Sequence, residues 1–121
     1  MHNLSIDVFK FRFNLIFNDN CHDALTDHDL FNEFKKGFDT EEEADEYLFD
    51  SNAITFTLNK KNLYVMVLPE NPKPGVVAHE CFHMACLLFE KKATSLTYST
   101  EETWAHVIDY LVETITNLIP E

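Results

Sequence analysis

The sequence predicts an α+β fold, and three patterns carry that expectation: alternating apolar residues near the start, a pair of β-like runs in the middle, and two long stretches with helical spacing toward the end. With 121 residues the chain is expected to form one domain over 1–121, a sheet of about three strands with the two long helices packed on each other. Hydrophobic residues make up 45% of it with only 2 glycines, which favours a packed core over a disordered or repetitive chain.

The elements follow in order. From Leu4 to Phe17, the residues Phe11, Phe13, Leu15 and Phe17 alternate with Lys10, Arg12 and Asn14, as in a half-buried first strand. Asp27 or Asp29 is placed to cap a short helix in which Leu30, Phe31, Phe34 and Phe38 recur at helical spacing. Thr40-x-x-Glu43 reads as a capping box opening a helix with Ala44, Tyr47 and Leu48 inward. Ile54, Phe56 and Leu58 alternate with Thr55 and Thr57, Asn59 to Asn62 turns, and Leu63 to Leu68 is apolar on both faces, so a hairpin with a buried second strand is expected. Pro74 suits the first turn of a helix that should end near Lys91 and Lys92, where positive charge complements the helix dipole. After a loop, a last helix starting near Ser99 or Thr100 carries Trp104, Val107, Ile108, Leu111, Ile115 and Leu118 as one apolar stripe.

Charge and cysteine usage exclude several functions. The formal net charge is -12, from 9 basic and 21 acidic residues, and nucleic-acid binding depends on neutralising phosphates with Lys and Arg, so no nucleic-acid partner is expected. The acid is concentrated in residues 1–50, with 13 acidic against 4 basic side chains, and reads as a solvated helix face in preference to a binding surface. Cys21, Cys81 and Cys86 are odd in number without a C-x-x-C pair, which predicts free thiols. Neither a charged-then-apolar leader nor an apolar stretch of about 20 residues occurs, so a soluble cytoplasmic protein without membrane contact is expected. His22 and His28, among Asp23, Asp27 and Asp29, read as a polar loop followed by a cap.

The chemistry lies between Val76 and Phe89, where His79, Glu80 and His83 are the only strongly polar side chains. A helix apolar on every side predicts burial, and burying two imidazoles and a carboxylate needs pairing or a metal ion. The trio is H-E-x-x-H, in which the histidines stand one helical turn apart and reach one Zn²⁺ while Glu80 acts as general base. A continuation to H-E-x-x-H-x-x-G-x-x-H fails, because Cys86 and Phe89 stand where Gly and His would be needed. The third ligand is then a carboxylate of the following helix, Glu101 or Glu102. Helical geometry does not settle the choice: Glu101 lies at the edge of the apolar stripe that must face inward, which favours Glu101, whereas Glu102 shares a face with Ala105, His106 and Asp109 that holds the further polar groups a metal site needs, which favours Glu102. Ser99-x-x-Glu102 also reads as a capping box, and that role for Glu102 would leave Glu101 as ligand.

Val77-Ala78-His79-Glu80-Cys81-Phe82-His83 followed by Glu101-Glu102-Thr103-Trp104-Ala105-His106 resembles the gluzincins, and more closely small phage-type metallopeptidases, over about residues 53–115. The resemblance implies a minimal zincin-like fold, Zn²⁺ on His79, His83 and Glu102, and hydrolysis of peptide bonds in a peptide or protein substrate. Such proteins more often have Tyr where His106 stands; His106 is the candidate donor to the developing oxyanion, with Tyr98 and Tyr110 as further candidates. Asp109 is a candidate to orient a zinc-bound histidine. A second resemblance, to the ImmA/IrrE-like peptidases, lacks their E-x-E-A-x-x-F-A signature. In zincins an extended substrate pairs with an edge strand, and either strand of the Ile54 to Leu68 hairpin is available for that role. The rival reading is a small acidic protein-binding or DNA-mimic module with a structural or vestigial zinc site. Glu80 weighs against it, because a structural site uses four protein ligands and leaves no task for a carboxylate beside the histidines.

Overall fold

A computed structural model describes residues 1–58 and 62–120 and has the α+β architecture that the sequence predicts. Backbone contacts divide it into two compact units, Met1–Glu70 and Asn71–Glu121.

The first unit holds the sheet. The strands are β1 (His2–Ile6), β2 (Phe11–Phe17), β3 (Ile54–Leu58) and β4 (Leu63–Leu68), in the order β1-β2-β4-β3. Four strands form where about three were expected, because the run from Leu4 to Phe17 is broken by a 3₁₀ turn at Asp7–Phe9 and by Lys10 in the left-handed region at φ 51°. The Lys10 N–H donates to the Asp7 carbonyl at 3.1 Å, and the chain doubles back so that His2 faces Leu15 and Ile6 faces Phe11 in an antiparallel pair. A left-handed lysine has no composition signal, and alternation is blind to where a strand folds onto itself. The hairpin of β3 and β4 forms as expected, with Ile54 opposite Val67 and Leu58 opposite Leu63. Its turn at Asn59, Lys60 and Lys61 lies outside the described residues. β4 also pairs with β2 in parallel, from Asn14 and Val65 to Phe17 and Leu68. β4 is therefore interior, as its apolar character on both faces requires, and β3 is the edge strand of that hairpin.

Three helices cross one face of this sheet: α1 (Cys21–Asp27), α2 (Phe31–Phe34) and α3 (Glu41–Asp50). Ile16, Ile54, Val65 and Val67 of the sheet cluster with Cys21, Ala24, Leu25, Leu30, Phe34 and Leu48. The cap of α1 is Asn20, whose side chain accepts from the Asp23 N–H at 3.1 Å. Neither Asp27 nor Asp29 caps the Phe31–Phe34 helix: Asp27 closes α1, and Asp29 takes a left-handed turn at φ 57°. Asn20 is the stronger signal in hindsight, since it directly precedes Cys21, Ala24 and Leu25, all fully buried at helical spacing. Thr40 caps α3 as predicted, accepting from the Glu43 N–H at 3.1 Å, and Ala44 and Leu48 point inward. Tyr47 does not; it is 50% exposed. His22 belongs to α1, where its Nε2 meets Asp45 Oδ1 at 3.0 Å and its ring stacks on Phe49.

The second unit is a pair of helices, α4 (Pro74–Lys91), with the predicted bounds, and α5 (Glu101–Thr116), which starts within a residue of the predicted start and ends before Leu118, the last residue of the predicted stripe. Trp104 stacks on Phe89 with centroids 4.4 Å apart and meets Phe82 at 6.0 Å, which joins the helices at the start of α5. Trp104, Val107, Leu111 and Ile115 form the buried stripe. At the end of α4, Ala93 N–H donates to Glu90 O at 3.1 Å and Thr94 N–H to Phe89 O at 2.8 Å, the paired bonds of a Schellman close. The residue in the left-handed position is Ala93, at φ 53°, where glycine is usual. Among the described residues, no helix is long and apolar enough to cross a membrane.

Ala93→Gly is expected to raise stability by about 1 kcal/mol, because it removes the Cβ penalty at a left-handed residue. Thr40→Ala should lower it by about 1 kcal/mol through loss of a helix cap. Urea unfolding followed by circular dichroism checks both; an Ala93→Gly midpoint at or below that of the parent would contradict the first.

Candidate metal centre

Helical periodicity splits α4 into two sides. Val77, Glu80, Cys81, Met84, Ala85, Leu88 and Phe89 are buried, whereas Ala78, His79, Phe82 and His83 are exposed. A helix apolar all round predicts burial on every side; here the two imidazoles reach solvent, and of the trio only Glu80 is buried, at 6% exposure. The compensation expected for buried imidazoles is thus not required, and the rings are accessible to a ligand.

The i, i+4 spacing does what the motif predicts locally. Nε2 of His83 lies 3.1 Å from Nε2 of His79, with the rings edge to face. Two nitrogens bound at about 2.0–2.1 Å in a tetrahedral zinc shell stand about 3.3 Å apart, so this pair is close to preset for one ion, through the same ring atom on each histidine. Glu80 lies beside it, with Oε2 3.9 Å from His79 Nε2. Burial fixes that carboxylate on the helix flank while the imidazoles next to it stay open.

Glu80 also acts on its neighbour. The Cys81 thiol is pushed up to about 12, first by burial and then by the Glu80 charge. Cys86 is raised by burial and by Glu90, and it is only partly covered. As expected, Cys21, Cys81 and Cys86 are not joined in disulfides.

The other predicted residues form a separate pair. Glu102 Oε1 and His106 Nε2 lie 3.1 Å apart, one turn along α5, and both side chains are largely exposed. Among the described residues, no group of three or more His, Cys, Asp or Glu side chains is arranged to hold a metal ion, so Glu102 does not join His79 and His83 in this structure. The capping role for Glu102 is not formed either. Thr100 is the N-cap residue of α5, and its hydroxyl turns back to accept from the Thr97 N–H at 2.8 Å. Ser99 is occupied with Thr97 at 3.0 Å. Glu101 and Asp109 are exposed on α5, and Tyr98 stands in the connecting loop at 92% exposure. Trp104, the first residue of the predicted apolar stripe, packs on the motif helix at Phe82, which sits between the two histidines in sequence. Compared with protein-family models, curated proteins and solved structures, the chain shows no match.

In native protein at about pH 8, iodoacetamide should modify Cys86 first and leave Cys81 and Cys21 intact until the chain is unfolded, because a buried thiol is closed to the reagent. Peptide mass spectrometry reads the order; early loss of the Cys81 thiol would contradict the buried side of α4.

Proposed function

We propose that the chain is a zinc-dependent peptidase in which His79, His83 and Glu102 hold the ion. The observation that carries this reading is the 3.1 Å approach of the two Nε2 atoms on an accessible helix face, with the buried Glu80 carboxylate alongside. The donors suit zinc, being two imidazole nitrogens and a carboxylate. Glu102 is tied only to His106 among the ion pairs described, and an exposed i, i+4 pair of this kind holds little energy, so its carboxylate is available to a stronger partner. Zinc bound there would supply Lewis-acid polarisation of the scissile carbonyl and a water nucleophile usable at neutral pH.

The chain's own residues then have distinct tasks. Glu80 takes the proton of the attacking water and delivers it to the departing amine, and its burial holds the carboxylate in one position through both transfers. With Glu102 as a ligand, His106 would be the donor of a hydrogen bond to the oxyanion.

The protein is expected to bind about one zinc per chain, and His79→Ala or His83→Ala should remove it, as read by elemental analysis after dialysis. Glu102→Gln should weaken zinc by at least about tenfold in chelator competition and more than Glu101→Gln does; equal losses would take the third ligand away from Glu102. Glu80→Gln should keep zinc and thermal stability but lose turnover of a peptide mixture followed by mass spectrometry. Hydrolysis that persists in Glu80→Gln would overturn the mechanism, and zinc held by four protein ligands would favour the acidic binding-module reading.

A further inference from the structure

The acidic half of the chain carries a surface feature that the zinc reading does not use. A groove of about 400 Å³ runs between β3 and the end of α2, lined by Phe34, Phe38, Phe56 and Leu58 with Glu33 and Lys36 at its side. A second hollow, of about 480 Å³, shares Phe38 and is lined by Glu43, Glu46, Tyr47 and Asp50. The floor is continuous: ring centroids of Phe34 and Phe56 lie 5.0 Å apart, Phe34 and Phe38 5.3 Å, and Phe38 and Tyr47 5.6 Å. The sequence placed Tyr47 inward, yet half of it is open to solvent at this rim.

The charged side chains that line the second hollow, Glu43, Glu46 and Asp50, are all acidic. Among the described residues, Lys35 and Lys36 beside the first groove are paired with Glu41 at 3.0 Å and Glu33 at 2.9 Å. No described basic side chain pairs with Glu43, Glu46 or Asp50. A face that served only to be solvated would need no aromatic floor, and a neutral apolar ligand would leave the carboxylates unused. Phosphate groups are repelled.

We infer that this groove docks a basic peptide segment: an aromatic or branched aliphatic side chain enters the hollow between Phe34, Phe38 and Phe56, and flanking Lys or Arg residues meet Glu43, Glu46 and Asp50. The Tyr47 ring adds a face for one of those cations. Apolar burial gives the anchor its affinity, and the carboxylates select charge and speed encounter. The inference stands whether or not His79 and His83 bind zinc, since every residue it uses belongs to the first unit.

The test is fluorescence anisotropy of the full chain with a short labelled peptide in which lysines flank a central phenylalanine, beside the same peptide with glutamates for lysines. The lysine peptide should bind saturably and lose at least about tenfold in affinity between about 0.05 and 0.5 M NaCl, while the glutamate peptide should not bind. Glu43→Lys, Glu46→Lys and Asp50→Lys together should weaken binding by at least about tenfold, and Tyr47→Ala by about threefold or more. Asp7→Lys, Asp27→Lys and Glu113→Lys together change net charge equally at exposed sites elsewhere and should alter affinity by less than about threefold. Phe38→Ala should also weaken the peptide; if that chain does not fold, the exposed substitutions decide. Absence of saturable binding, equal binding of the glutamate peptide, or equal losses in the two charge-reversed chains would overturn the inference.

Discussion

The parallel pairing of β2 with β4 is the constraint on which the first unit depends. Between its strands, from Phe17 to Leu63, lie 45 residues, and parallel neighbours cannot be joined by a tight turn. The connection is filled by α1, α2, α3 and β3, so the helices lie on one face of the sheet as a consequence of strand direction. Bonds past the strand ends hold the same junction: Asn18 N–H donates to Leu68 O at 2.8 Å, and Glu70 N–H to Asp19 Oδ1 at 2.9 Å. Because β4 must then be interior, it is apolar on both faces, and β3 is left at the edge with its Phe56 and Leu58 lining a groove.

In the second unit a single helix carries opposed demands, and its periodicity separates them. The side with Cys81, Met84, Leu88 and Phe89 is buried, and Phe89 meets Trp104 of α5. One step around the helix, His79 and His83 face solvent with their nitrogens close enough to share an ion. Glu80 falls on the boundary, near enough to the histidines to act with them and buried enough to be held. The peptidase proposal rests on this division. A carboxylate on the exposed side would be freer to move, and imidazoles on the buried side would be closed to any substrate.

Net negative charge has two readings that composition does not separate. Much of the acid on α1 to α3 is spent locally, in the first turns of helices and in pairs such as Lys35 with Glu41 and His22 with Asp45. Glu43, Glu46 and Asp50 differ in lying next to exposed rings instead of lysines. Their placement makes charge a matter of a particular groove, which is the basis for assigning it a cationic partner.

What the sequence by itself determined is what depends on near neighbours along the chain. The i, i+4 approach of His79 and His83, the Thr40 cap, the Pro74 start of α4 and the stripe from Trp104 to Ile115 all follow from helix geometry within a few residues, and each was legible. Missed features depended on backbone turns or distant packing. Left-handed Lys10 splits one predicted strand into β1 and β2, and the Phe31–Phe34 helix begins at Leu30 without the side-chain cap expected of Asp27 or Asp29, while Asn20 caps the preceding helix. Tyr47 has the spacing of an inward residue but the exposure of a rim. The carboxylate ligand was the least legible part of the candidate site, because Glu101 and Glu102 differ only by 100° around α5, and in the structure Glu102 stays with His106. Only tertiary structure decided which side of α4 faces solvent, which strand is the sheet edge and where acid meets aromatic surface, because each depends on groups brought together from far along the chain, and periodicity records only that a face exists, not what covers it.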